Sequence, residues 1–386
     1  MVLSGTTRGA AAMNKGRMVF TQLLQHVPRY EFDKCVERYG GHSSVRTFSC
    51  WNQFLCMAFA QLTGRTSLRD IVVCLNSHHE KLHHMGFRGR LSRSTLADAN
   101  ERRDFRIFED FANVLIPVAR RLHRDDALAL DLDQTLYALD STTIDLCLSV
   151  FPWAHFRETK AAVKMHTLLD VRGAIPAFIT VTTGKVHDVN VLDDIPLEAS
   201  SIVTMDRAYV DFARLYAIHR RPAFFVVRAK RNLRFRRIDS VNRHKAPGVR
   251  ADQTIVLTGT KSRQAYPEPL RRVSYVDPES KKRLVFLTNH FAIPATTVAD
   301  IYRHRWQVEL FFKWVKQHLR IKAFYGTSPN AVKTQIWIAI SLYLLVAITS
   351  KTLGLPPTLY TILQILEVNA FEKKTIFQLV SDALHD

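Results

Sequence analysis

Leu136 to Leu146 reads LYALDSTTIDL, and at this stretch the texture of the chain changes. Apolar and β-branched residues alternate with small or polar ones, at the two-residue period of a strand. Upstream, from about Arg17 to Leu122, apolar residues recur every three or four positions, as in Phe54, Met57, Ala58 and Leu62 or Phe108, Phe111, Ala112 and Leu115, which predicts helices. HRDDALALDLDQ, from His123, reads as a linker between the two regimes. Downstream come AAVKMHTLLDVRG, AIPAFITVTTGK, SIVTMDRAY and AFFVVRAK, each a predicted strand ended by Gly or polar turn residues. Short helical stretches, VNVLDDIPL and DFARLYAIH, precede the last two.

The resulting order, β-β-β-α-β-α-β, is that of an RNase H-like core, an α/β fold with a mixed five-stranded sheet and helices. A strand-rich segment with DQTIVLTG, RRVSYVD and RLVFLTN interrupts it, and two long helical segments, Thr297 to Arg320 and Ala331 to Lys351, follow. Within the second lies QIWIAISLYLLVAIT, flanked closely by Lys333 and Lys351. It is shorter than the roughly 20 residues a bilayer span needs, so it is expected to be a buried core helix, with no membrane involved.

The 386 residues, 47% apolar and 23% charged, suit a globular protein of two or three domains. Lys and Arg outnumber Asp and Glu by 54 to 35, a net charge of +19. Such a field favours a polyanionic partner, and nucleic acid is the commonest. The cations are also clustered. GFRGRLSRSTLADANERRDFR, Gly86 to Arg106, holds six arginines, and RAKRNLRFRR, from Arg228, has six basic residues in ten. Thr95 followed by Asp98 reads as a helix N-cap with a first-turn acid, an entry suited to phosphate docking. Arg93 and Arg102 in the first cluster, and Lys230, Arg231 and Arg234 in the second, are therefore candidate DNA contacts, as is Arg207. The five cysteines form no C-x-x-C pair, and MVLSGTTRGAAA lacks the apolar core of a signal peptide, so a reduced, cytoplasmic protein is expected. Met13 and Met18 are alternative starts to Met1.

Chemistry is suggested by YRHRWQVELFFKWVK, Tyr302 to Lys316. At about 100° per residue, Tyr302, Arg305, Glu309 and Lys316 fall within a ~60° sector of one helix. Lys313 and Arg320 lie on or near the same stripe, and Val308, Leu310, Phe311, Phe312 and Val315 would supply the apolar side. Read alone, the stripe is also explained by an exposed Arg305–Glu309 ion pair. Two aspartates at predicted strand ends favour a site: Asp140 after LYAL and Asp206 after SIVTM. Three carboxylates on rigid elements suit two Mg²⁺ ions, which together clamp the attacking and leaving oxygens of a phosphodiester. Asp131 and Asp133 fall in the linker, and Asp145 is a weaker rival on the strand of Asp140.

With these residues in view, the chain resembles the DDE transposases of bacterial insertion sequences, in the subgroup with a Tyr-x2-Arg-x3-Glu-x6-Lys signature. Tyr302, Arg305, Glu309 and Lys316 match that signature at every spacing, and ALDSTTIDL and MDRAYVDF are similar to the two aspartate motifs. Ala208 stands where the family usually has Gly. The resemblance implies that Asp140, Asp206 and Glu309 are catalytic and hold the metal, with Mn²⁺ able to replace Mg²⁺. It implies that Tyr302, Arg305 and Lys316 contact terminal phosphates. It also implies double-stranded DNA partners (terminal inverted repeats and target DNA), a homodimer in the synaptic complex, and cut-and-paste transposition through a hairpin. His166 and the KVHD segment recur in the family, and His187 and Asp188 are read as structural. The expected domains are a helical N-terminal DNA-binding domain at 13–125, the core at 132–230 and 293–352, a β-rich insertion at 231–292 and a helical segment at 353–386. A catalytically idle DNA-binding relic and an RNase H-like nuclease without strand transfer are the alternatives.

One motif points elsewhere. HHEKLHH, His78 to His84, contains H-E-x-x-H, the zinc-protease spacing. It runs directly into Met85-Gly86 and the arginine-rich segment, so no zinc site is expected there.

Overall fold

The computed structural model describes residues 16–385 except 44, 46, 88, 129, 241–245 and 319–323. The chain divides into two compact units, one drawn from Met1–Arg124, Ile144–Ala162 and Phe312–Asp386, the other from Asp125–Thr143 and Val163–Phe311.

The first unit opens with helices α1 (Val19–Leu24), α2 (Arg29–Arg38), α3 (Cys50–Leu62), α4 (Leu68–Ser77), α5 (His79–Leu82), α6 (Arg93–Arg102) and α7 (Arg106–Leu122). A reciprocal capping box starts α3: the Asn52 amide donates to Ser49 Oγ, and the Ser49 amide donates back to Asn52 Oδ1. Phe32, Phe54, Phe108 and Phe111, brought together from α2, α3 and α7, pack edge-on or tilted with centroids 5.1 to 6.4 Å apart. The cap of α6 is not where the sequence suggested. Ser92 is the N-cap and its hydroxyl bonds Ser94, leaving Thr95 inside the first turn.

The strands are β1 (Leu136–Leu146), β2 (His155–Arg157), β3 (Lys160–Asp170), β4 (Ile175–Thr183) and β5 (Ile202–Met205). Helix α8 (Phe212–Arg220) leads to β6 (Phe224–Arg228), β7 (Phe235–Ser240) and β8 (Val249–Leu257). Then come α9 (Thr260–Ala265), β9 (Leu270–Val276), β10 (Arg283–Thr288), α10 (Ala295–His304) and α11 (Trp306–His318). The main sheet runs β4-β3-β1-β5-β6-β10-β9-β8-β7, and the short β2 pairs with the start of β3. Strands β1, β5 and β6 are parallel, and β3–β4 and β6–β10 are antiparallel. Alternation along β1, β5 and β6 sends Tyr137, Leu139, Val203, Met205, Phe225 and Val227 into one apolar cluster, where Leu215 and Ile218 of α8 cover them.

Two expectations change here. The sheet has ten strands rather than five, because the strands of the predicted insertion extend it: Phe286 to Thr288 of β10 pair with Val226 to Arg228 of β6. The physical reason is that β6 would otherwise present an open row of amides and carbonyls, which β10 satisfies. The predicted helix around VNVLDDIPL is only a 3₁₀ stretch, Asp188–Asp193.

Helices α12 (Pro329–Thr352), α13 (Leu359–Asn369) and α14 (Ile376–His385) complete the first unit. Ser328 caps α12 and Pro329 occupies its first position. Among the described residues it is the one helix long and apolar enough to cross a bilayer, and 94% of its most apolar window is buried. Three of its polar residues find partners inside: Ser341 and Thr349 donate back to Trp337 and Leu345 carbonyls, and Gln335 accepts from the Tyr325 amide, whereas Thr334 Oγ1 and Trp337 Nε1 are buried without one among the described residues. It is a core helix, as its length predicted.

Candidate active site

The parallel register of β1 and β5 builds the first part of the site. Leu136 to Leu139 pair with Ile202 to Met205 in step, so the next residues, Asp140 and Asp206, stand side by side at the carboxyl ends of their paired segments. Both continue the face of Ala138 and Thr204, opposite the apolar cluster. Asp140 does not end its strand, since β1 runs on to Leu146, but pairing with β5 stops just before it.

The third carboxylate arrives through an ion pair. Tyr302 to Lys316 was expected to be one helix, and the structure divides it at Arg305, the residue between α10 and α11. The last turn of α10 tightens, with the Arg305 amide donating to Tyr302 O and His304 Nδ1 donating to Asp300 O. From this break the Arg305 guanidinium reaches two acids: Nη1 lies 3.0 Å from Asp140 Oδ2 and Nη2 lies 2.6 Å from Glu309 Oε1. The Arg305 and Asp140 side chains are 15% and 22% exposed, so this is more than the surface ion pair weighed above. Tyr302, tilted against Phe286 with centroids 4.8 Å apart, directs its hydroxyl to Asp206 Oδ1 at 3.4 Å.

The electrostatics suit a site built for cations. Burial pushes the Asp140 carboxyl up to about 6, with Glu309 and Asp206 adding to the rise and the Ser141 amide and Arg305 opposing it. Carboxylates are the hard oxygen donors that divalent ions such as Mg²⁺ take, so the residue types fit. Among the described residues, however, no three His, Cys, Asp or Glu side chains are gathered closely enough to hold one ion, and the cation between Asp140 and Glu309 is Arg305.

Other expected residues are distributed differently. Asp131, Asp133 and Asp145 are exposed. Lys313 is exposed and Lys316 half-buried on α11, and Leu310, expected on its apolar side, is 49% exposed. Arg320 lies outside the described residues. Arg93, Arg102, Arg207, Arg231 and Arg234 are exposed, while the Lys230 ammonium donates to Val210 O.

His166 and Asp188, both singled out in the sequence, belong to a polar network with Lys164, which was not. Lys164 Nζ lies 3.0 Å from Asp188 Oδ1 and also donates to Val186 O, and the buried His166 bonds Thr182 Oγ1. A lysine and a histidine two apart in the otherwise apolar KMHTLLD were the available signal.

Residues 131–345, more than half of the chain, match the transposase DDE domain family. The chain belongs to the DDE transposases. Residues 15–88 of this transposase match a domain of unknown function. A putative transposase of Sinorhizobium fredii, y4zB, is 31% identical over 259 residues, 66% of this chain and 71% of that protein. A probable transposase for insertion sequence element IS5377 of Geobacillus stearothermophilus is 32% identical over 240 residues, 62% and 63% of the two chains. Among solved structures, the piggyBac transposase synaptic complex with hairpin DNA aligns over 95% of this chain and 80% of that one at TM-score 0.45 and 12% identity, below the level that establishes a shared fold. The protein is an insertion-sequence transposase, of a family that generally uses divalent metal ions.

The histidine motif is not part of this site. Helix α5 lasts only four residues before a 3₁₀ turn, His83–Met85, ended by Gly86 at φ +95°. His79, Glu80, His83 and His84 are exposed, and the His78 ring packs on Phe371 at 4.0 Å. Purified protein is expected to carry no stoichiometric zinc, and His83→Ala to keep its melting temperature, since exposed substitutions typically cost within about 0.5 kcal/mol. One zinc per chain by elemental analysis, lost in that variant together with folding, would refute this.

Proposed function

We propose that this transposase cuts DNA at the ends of its element and joins the freed ends to target DNA, with Asp140, Asp206 and Glu309 as its catalytic carboxylates. The observation that carries the reading is the in-step pairing of β1 with β5, which sets Asp140 beside Asp206, with Glu309 tied to Asp140 through Arg305. Asp140, Asp206 and Glu309 would hold two Mg²⁺ ions, or Mn²⁺ in their place. When bound, such ions stabilise charge on the attacking and leaving oxygens of a phosphodiester.

In the proposed sequence, water attacks one strand at the element's end and a 3′-oxygen leaves as hydroxyl. That hydroxyl attacks the opposite strand and closes a hairpin, and after hairpin opening it attacks target DNA. Each exchange makes one phosphorus–oxygen bond as it breaks another, so no ATP is needed. Tyr302, Arg305, Lys313 and Lys316, with Arg320, would bind the phosphates of the strand being processed. Arg93 and Arg102 in the helical 13–125 region, and Arg207, Lys230, Arg231 and Arg234, would track the duplex backbone of the inverted repeats. The strand order β4-β3-β1-β5-β6 supports reading residues 132–230 and 293–352 as an RNase H-like core, with 231–292 inserted. We place the protein in the bacterial cytoplasm, on the nucleoid when DNA-bound, and as a homodimer at synapsis.

A plasmid excision assay with the element's own flanking ends tests this. Excision and rejoining are expected in Mg²⁺ or Mn²⁺, with binding alone in Ca²⁺. Cleavage without joining would instead indicate a nuclease, and binding without cleavage an idle relic.

A further inference from the structure

We infer that Arg305 is a lock on the metal site, opened when a DNA phosphate takes its guanidinium, so that metal loading and DNA-end binding are coupled. The inference rests on the reading of Asp140, Asp206 and Glu309 as metal ligands.

Both Asp140 oxygens and one Glu309 oxygen are already engaged. Asp140 Oδ1 accepts the Ser141 amide at 2.8 Å, and Asp140 Oδ2 accepts Arg305 Nη1 at 3.0 Å. Glu309 Oε1 is held by Arg305 Nη2 at 2.6 Å. One guanidinium therefore spans two of the three carboxylates. A divalent ion entering there meets a fixed positive charge in a site only partly open to water, where like charges repel more strongly than in bulk solvent. Metal and guanidinium compete for the same oxygens.

Phosphate offers Arg305 an alternative. Its two oxygens match the guanidinium fork as a carboxylate does, and Arg305 Nε is buried with no partner among the described residues. Arg305 also stands at the break between α10 and α11, a place where a side chain can swing without unwinding a helix interior. DNA arriving at the site would draw the guanidinium onto its backbone and free Asp140 and Glu309. The protein without DNA would stay metal-poor, which protects bystander DNA from cleavage.

The test reads binding rather than cleavage. Mn²⁺ affinity is measured by electron paramagnetic resonance on full-length protein, with and without a duplex carrying the element's terminal sequence. Wild type alone is expected to bind Mn²⁺ at least about tenfold more weakly than Arg305→Gln, the scale of a typical coupling between sites. The duplex should tighten Mn²⁺ binding in wild type and leave Arg305→Gln unchanged. By linkage, Mn²⁺ should tighten duplex binding in wild type by the same factor by which the duplex tightens Mn²⁺ binding. Equal Mn²⁺ affinities in wild type and Arg305→Gln, both lost on Asp140→Asn, would overturn the lock while leaving the metal site standing. Mn²⁺ affinity indifferent to Asp140→Asn would overturn both. The duplex arm needs wild type alone, so a misfolded variant shields nothing: Mn²⁺ affinity unmoved by the duplex overturns the lock.

Discussion

Asp140→Asn, Asp206→Asn and Glu309→Gln are each expected to lower strand cleavage by about a thousandfold or more while leaving end binding nearly intact. Lewis-acid stabilisation by a bound ion is worth several kcal/mol, and each 1.36 kcal/mol is a factor of ten in rate. Amides keep the volume of the carboxyls but lose the charge that holds a divalent ion. Binding survives because it draws on the many exposed cations elsewhere on a chain of net charge +19. Single-turnover cleavage of a labelled end duplex, set beside a gel-shift affinity, separates the two effects. A variant that cleaves near the wild-type rate would remove its residue from the site. Glu309→Gln tests the least direct of the three placements, since Glu309 is linked to Asp140 only through Arg305.

The same Asp140→Asn change is expected to stabilise the fold at pH 8 in metal-free buffer. Burial pushes the Asp140 carboxyl up to about 6. Below about pH 4 it is protonated whether the chain is folded or unfolded, and nothing is lost. As pH rises from about 4 to about 6, the unfolded chain releases this proton while the folded chain keeps it, so stability falls with rising pH. Above the folded value the loss is complete, at about 3 kcal/mol for a shift of roughly two pK steps. Asn carries no such charge, so urea unfolding midpoints of the variant should lack this contribution to the slope. Mg²⁺ should restore stability to wild type at pH 8 far more than to the variant. A variant that is less stable than wild type at pH 8, or that shares its full slope, would contradict the assignment. A functional carboxylate that costs stability when bare is the expected compromise at such a site.

Element type was legible wherever periodicity was long: the helices of the N-terminal region, the buried α12 and most core strands followed from apolar spacing alone. The acids Asp140, Asp206 and Glu309 stood out because polar residues follow apolar strand runs and because one carboxylate sits among cations. The cap at Ser92 was missed because hydroxyls at 92, 94 and 95 offer equivalent local starts. The break at Arg305 was missed because a helical wheel assumes an unbroken helix, and nothing in YRHRW forbids one.

By itself the sequence determined the alternation of helix and strand, the basic charge and the spacing of the signature, since these depend on side-chain type and short-range order. Tertiary structure decided the rest. Which strand lies beside which is a long-range choice made by hydrogen-bond register, and it set Asp140 level with Asp206. The same kind of choice joined β10 to β6, so that strands of the 231–292 segment continue the sheet. Arg305 could be read as a phosphate ligand or as a surface partner of Glu309. Only packing brought Asp140 within 3.0 Å of it, because a buried guanidinium must find acceptors and the nearest free carboxylate came from a strand far away in sequence.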